Sequence, residues 1–214
     1  TVLHAPFVKE PYPTYAHNPS GFYNTLRVKA LTRANRDPRV RLPKAIELAS
    51  ELKVPKIVIH ASDIFLASNP NALIQELNDF GEEKGVMLCL ENNRRTPTEQ
   101  LQDKSEWRRA LDPIELIHYL RENKLDNCYL TIDTAHLAAS GYMVSEMWER
   151  LKQFLQSDIK SAVQHFHFVD YDPKTGFDAL APGFGSIGLQ TFKTIIHDLY
   201  TLGYTGTASI EVAP

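Results

Sequence analysis

The sequence predicts an α/β fold built on a parallel sheet, and three observations carry that reading. Short β-branched or aromatic runs alternate with longer amphipathic segments along the whole chain. Every predicted strand delivers a histidine, an aspartate or a glutamate at or near its carboxyl end, and parallel α/β sheets collect their chemistry at the carboxyl ends of strands. No linker, repeat or shift of composition divides the 214 residues, of which 43% are hydrophobic and 23% charged, so one domain over 1–214 with one sizeable core is expected.

Taken in order, Thr1-Val2-Leu3-His4 reads as a first strand. The segment 6–37, broken by Pro11, Pro13, Pro19 and Gly21, reads as a long loop. A helix follows over 40–52 and a strand over 56–61. Asn69-Pro70 opens a helix at 71–84, because an Asx cap followed by proline satisfies and pre-sets the first turn, and Gly85 stops it. The strand 86–91 leads into a second loop, 92–111, which carries Arg94, Arg95, Trp107, Arg108 and Arg109. Asp112-Pro113 starts a helix at 113–123, and a strand at 129–133 comes next. A helix at 145–163, a strand at 165–169, a loop over 170–182, a helix at 189–202 ended by Gly203, and a strand at 208–212 complete the pattern. Thr1 already reads as buried strand, so a longer gene product is expected.

Composition excludes several classes of function. Lys+Arg 23 against Asp+Glu 26 gives a formal charge of -3, so no global positive field draws in nucleic acid or anionic membrane. No apolar run approaches the ~20 residues of a membrane span. Cys89 and Cys128 both sit in apolar runs and cannot build a disulfide framework, which points to core packing and a reducing, cytoplasmic setting.

The strand ends supply His4, His60, Glu91, Asp133 with His136 just after it, His167 and Glu211. A carboxylate closing an apolar strand such as Val86-Met87-Leu88-Cys89-Leu90-Glu91 is costly to bury unless it is paired, protonated or bound to a cation. Glu91, Asp133, His167 and Glu211 gathered at one mouth would repel one another without a metal, and this oxygen-rich set with one nitrogen suits Mn²⁺, Co²⁺, Zn²⁺ or Mg²⁺. The alternative is that these residues are ion-paired strand ends facing Arg94, Arg95 or Lys174. In His165-Phe166-His167 the two imidazoles share a face. His167, nearer the carboxyl end, is the expected ligand, and His165 is a supporting or core histidine. His17, His118 and His197 read as surface residues. Gly183-Phe184-Gly185-Ser186-Ile187-Gly188 fits a dinucleotide-binding pattern, but no strand precedes it directly, so it reads as a tight loop feeding a helix.

At these residues the chain resembles the xylose isomerase-like TIM-barrel superfamily, which includes sugar isomerases and epimerases, inosose dehydratases and endonuclease IV. The resemblance is carried by His4-Ala5-Pro6-Phe7, Ile57-Val58-Ile59-His60, Leu88-Cys89-Leu90-Glu91-Asn92 and Ile132-Asp133-Thr134-Ala135-His136. It continues through His165-Phe166-His167-Phe168-Val169-Asp170, the glycine loop 182–188, and Gly203-Tyr204-Thr205-Gly206 leading to Ile210-Glu211. It implies a (β/α)8 barrel of which six strands are present, lacking the first two βα units and the last helix.

The resemblance also implies one divalent metal ion held by Glu91, Asp133, His167 and Glu211. Glu91 and Glu211 would remove and return a proton through a metal-stabilised enediolate of a sugar or sugar-like hydroxy-carbonyl compound. His4, His60 and His136 would contact the substrate, with Arg94 available to an acidic or phosphorylated one. Tagatose epimerase-type enzymes carry an arginine and a further glutamate where this chain has Pro173 and Pro97, so those particular sugar contacts are absent. An endonuclease IV-like zinc enzyme, an inosose dehydratase-type lyase and a non-catalytic barrel remnant are the alternatives. The nuclease reading lacks ligands where Phe177 and Ala179 stand. The expected partner is a small-molecule sugar rather than nucleic acid or membrane, and the reading leaves room for a homo-oligomer.

Overall fold

The computed structural model describes residues 3–4, 37–65, 67–94, 109–155 and 158–211, with the side chains of Leu3, His4, Ile159 and Lys160 outside that description. All of the predicted loop 6–37 but Asp37, and most of 92–111, with Arg95, Trp107 and Arg108, also lie outside it, as does His17.

Six parallel strands form one sheet in the order β1 (Leu3–His4), β2 (Lys56–His60), β3 (Met87–Glu91), β4 (Cys128–Asp133), β5 (Val163–His167) and β8 (Thr207–Ser209). Among the described residues β1 and β8 are the two edges, and they do not pair with each other. The period of two in a strand sorts the side chains. Ile57, Ile59, Leu88, Leu90, Leu130, Ile132 and Phe166 enter a core shared with the surrounding helices, whereas Val58, Cys89, Thr131 and His165 face the other way. The inward positions at the carboxyl ends are then His60, Glu91, Asp133 and His167. The sheet is the curled wall of a parallel α/β barrel, with six strands of the eight that such a barrel closes with.

The helices on the outer face are α1 (Pro38–Glu51), α3 (Pro70–Lys84), α4 (Pro113–Glu122), α6 (Val144–Leu155) and α8 (Leu189–Thr201). Their starts follow the sequence chemistry. Asn69 accepts a hydrogen bond from the Ala72 amide at 3.2 Å and Asp112 one from the Ile114 amide at 2.9 Å, each with proline at the first helical position. Gly85 ends α3 at φ 66°, a left-handed conformation that other residues adopt only at a cost.

Four expectations are corrected. Strand β2 ends at His60, and Ala61–Phe65 forms a short helix, α2. A further turn of helix, α5 (Thr134–Ala139), follows Asp133 directly. The predicted helix 145–163 is instead α6 followed by α7 (Ile159–Ala162), and β5 begins at Val163. Val163 is fully buried and pairs with Leu130, so burial in the sheet outweighs the helical period of the preceding residues. The predicted loop 170–182 contains an antiparallel hairpin of β6 (Asp170–Asp172) and β7 (Phe177–Leu180). Its turn is closed by Asp172, which accepts from the Lys174 amide at 2.9 Å and the Thr175 hydroxyl at 2.8 Å, and by Gly176 at φ 73°. No helix among the described residues is long and apolar enough to cross a membrane.

Candidate metal centre

Strand register places the chemistry at one level. His60 pairs with Glu91 across β2 and β3, and Asp133 with His167 across β4 and β5. Glu91 is 1% exposed and Asp133 and His167 are 2% exposed, far less than isolated carboxylates tolerate. They converge on one imidazole nitrogen. Nδ1 of His167 lies 3.0 Å from Glu91 Oε1, 3.6 Å from Asp133 Oδ2 and 3.4 Å from Glu211 Oε2. Glu211 differs from the others, since its side chain is 57% exposed.

Asp133 divides its two oxygens. Oδ1 caps α5 by accepting the His136 amide at 2.7 Å, which leaves Oδ2 toward His167. The same cap carries His136 to the mouth, where its Nδ1 lies 2.8 Å from the Asn92 carbonyl and 3.4 Å from Glu91 Oε1. His60 approaches from the other side, with Nε2 at 3.5 Å from Glu91 Oε2 and its ring centroid 6.0 Å from that of His136. His165 sits below His167 and is 3% exposed, its Nδ1 2.7 Å from the Thr207 hydroxyl and its Nε2 3.2 Å from that of Ser209. It is a buried, hydrogen-bonded histidine.

The electrostatics reflect this crowding of acids. Burial pushes the His167 imidazole toward its neutral form, but hydrogen bonds and charge from Asp133 and Glu91 outweigh it and raise its pKa to about 10. His136 shifts upward by the same balance, burial opposing the charges of Asp133 and Glu91 and the bond to Asn92. The ligand atoms of Glu91, Asp133 and His136 lie within 4.8 Å of one another, as do those of Asp133, His167 and Glu211. Three carboxylates around a buried imidazole are a donor set that fits a divalent cation, whose charge would replace the imidazolium proton.

Other expected residues fall elsewhere. Arg94 pairs with Asp178 of β7 at 2.6 Å rather than with a strand-end carboxylate, and so ties the segment after β3 to the hairpin. His4 stands at the end of β1 by its backbone, opposite Val58. His118 and His197 are exposed, on α4 and α8. The glycine loop follows the hairpin, and buried Asp170 holds it by accepting the amides of Gly183 and Ile187, each at 2.9 Å. Sequence reasoning missed Asn92, whose side chain meets the Asp133 backbone, and Asp178. An asparagine directly after a strand-end ligand is the only local signal for the first, and nothing local marks the second.

Parallel strands curled round a mouth of carboxylates and imidazoles define a barrel of the α/β class with a candidate metal site. The chain belongs to the xylose isomerase-like TIM barrel family, whose model matches residues 13–214. Among solved structures it is similar to a D-tagatose 3-epimerase-like protein, with 25% identity and TM-score 0.61 over 99% of this chain and 70% of that one. An L-ribulose 3-epimerase matches with 17% identity and TM-score 0.56, over 83% of this chain and 54% of that one. A xylose isomerase-like TIM barrel protein from Mycobacterium smegmatis, in complex with magnesium, matches with 17% identity and TM-score 0.52, over 82% and 60% of the two chains. The chain thus spans between about half and seven-tenths of the length of these proteins. No curated protein matches it significantly.

Proposed function

We propose that this chain is the metal-site portion of a divalent-metal-dependent isomerase or epimerase acting on a sugar or sugar-like hydroxy-carbonyl compound, and that residues 1–214 belong to one barrel domain. The observation that carries the reading is the convergence of Glu91, Asp133 and Glu211 on His167 within 3.6 Å. The likeness to proteins described as sugar epimerases supports the substrate class, and the magnesium complex of a relative supports the kind of ion.

Glu91, Asp133, His167 and Glu211 would hold the ion, which when bound would supply positive charge beside the substrate oxygens and acidify the intervening C–H. The remaining chemistry belongs to the side chains. One of the two glutamates removes the proton and the other returns it on the opposite face of the carbon. Glu211 is open to solvent, the side from which a substrate would arrive, while Glu91 turns Oε2 toward His60. His60 and His136, which lie 3.5 Å and 3.4 Å from Glu91, would hold substrate oxygens.

Metal analysis of the purified chain, followed by a panel of keto and aldo sugars, their phosphates, an inosose and an abasic oligonucleotide, tests the proposal. Turnover of a sugar that depends on added metal is the expected result. Cleavage of the oligonucleotide, dehydration of the inosose, or no metal uptake would each reject it.

A further inference from the structure

We propose that Asn92 is a positioning residue that sets both a metal ligand and a substrate-facing histidine, an inference that rests on the metal-dependent reading above. Asn92 is 1% exposed and sits one residue past the end of β3. Its side-chain amide replaces a backbone rung. Nδ2 donates to the Asp133 carbonyl at 3.1 Å, and the Asp133 amide donates to Oδ1 at 2.8 Å, while the Asn92 amide donates to the Thr131 carbonyl at 3.4 Å. The backbone partners fix which end of the amide is oxygen and which nitrogen, because an amide N–H can only donate and a carbonyl can only accept.

Two consequences meet at this residue. Holding the backbone of Asp133 at both its N–H and its C=O fixes the start of its side chain, whose Oδ1 then caps α5 while Oδ2 turns to His167. The rung also fixes the Asn92 peptide plane, and its carbonyl lies 2.8 Å from His136 Nδ1. A carbonyl only accepts, so Nδ1 carries the proton and Nε2, which has no partner among the described residues, presents a lone pair in the neutral ring. In that neutral form His136 would accept, at Nε2, a hydrogen bond from a substrate hydroxyl. Alanine at 92 would remove the rung. Glutamine would carry the same amide one methylene too far to bond both Asp133 groups.

The test uses Asn92→Ala and Asn92→Gln in the 214-residue chain, with Mn²⁺ titrated calorimetrically and the His136 ring nitrogens followed by NMR in metal-free protein at the alkaline plateau of the ring's own titration. The expected result in either folded variant is Mn²⁺ binding weaker by about 10- to 100-fold, the size seen when groups that orient ligands are removed. It is accompanied by a change from one Nδ1–H tautomer to a mixture of both. A folded variant that keeps either the parent affinity or the single tautomer overturns the proposal. If the parent chain takes up no Mn²⁺, the metal-dependent reading fails, and the tautomer alone then decides the role of Asn92.

Discussion

Nδ1 of His167 stands 3.0 Å from Oε1 of Glu91 although their strands, β5 and β3, are separated in the sheet by β4. Two strand spacings in a flat sheet would be about 9.6 Å, so the contact exists because the sheet curls and both side chains point to its concave side. The pairing of a buried acid with a buried base at this point dominates the expected behaviour of the site.

Replacing Glu91 by glutamine keeps the shape and removes the charge. Mn²⁺ affinity should fall by at least about tenfold, which is about 1.4 kcal/mol, and turnover of any substrate should fall with it. Calorimetric titration of the variant beside the parent measures this, and equal affinities would remove Glu91 from the ligand set.

The pH dependence follows from His167. Its folded pKa of about 10 lies above the ordinary histidine value of 6.5, so the metal-free protein gains stability from the imidazolium fully below pH 6.5 and loses it as pH rises toward 10. A cation must displace that proton, so metal affinity should rise across the same window, with proton release. Titrations in buffers of different ionisation enthalpy count the proton, and thermal melts of metal-free protein follow the stability. Affinity that is flat with pH would contradict the assignment.

Gly185 is held against Asp170. A Cβ at this position would come within 2.5 Å of Asp170 Oδ1 and of the Tyr171 carbonyl. Gly185→Ala should therefore destabilise the chain by about 1–3 kcal/mol, the usual range for overpacking, and should shift the urea midpoint downward with little change in slope. An unchanged midpoint would show that the loop can move aside.

The Arg94–Asp178 pair spans 2.6 Å, but its side chains are 45% and 22% exposed. A double-mutant cycle with Arg94→Ala and Asp178→Asn should yield a coupling below about 1 kcal/mol, as for other solvent-screened pairs. A larger coupling would mean that the hairpin is held down by this contact rather than by its own packing.

The fold and the candidate site differ in how much of each the sequence displays. Helix starts at Asn69-Pro70 and Asp112-Pro113 are written in local chemistry and fall where expected. So are the strand ends, because asking what closes each apolar run names His60, Glu91, Asp133 and His167 together, although that they share one inward face is visible only in the sheet. The hairpin 170–180 was missed although Asp172-Pro173-Lys174-Thr175-Gly176 carries turn residues, because its strands are three and four residues long and too short to show alternation. Strand β5 begins before the expected point because Val163 is claimed by Leu130, a partner more than thirty residues away. The rung made by Asn92 has no periodic signature at all, since it depends on where Asp133 lies in space.

Glu211 follows the edge strand β8, and β8 pairs only with β5 among the described residues. The four candidate ligands are thus unequal in how firmly the chain holds them. Three are anchored by strands bonded on both sides, while the fourth can swing out when a three-residue strand frays, an event at the low-energy end of local openings. The lifetime of an ion at this mouth would then be governed less by the strength of its bonds than by how often one strand lets go. Hydrogen exchange at residues 207–209 would be the clock by which it leaves.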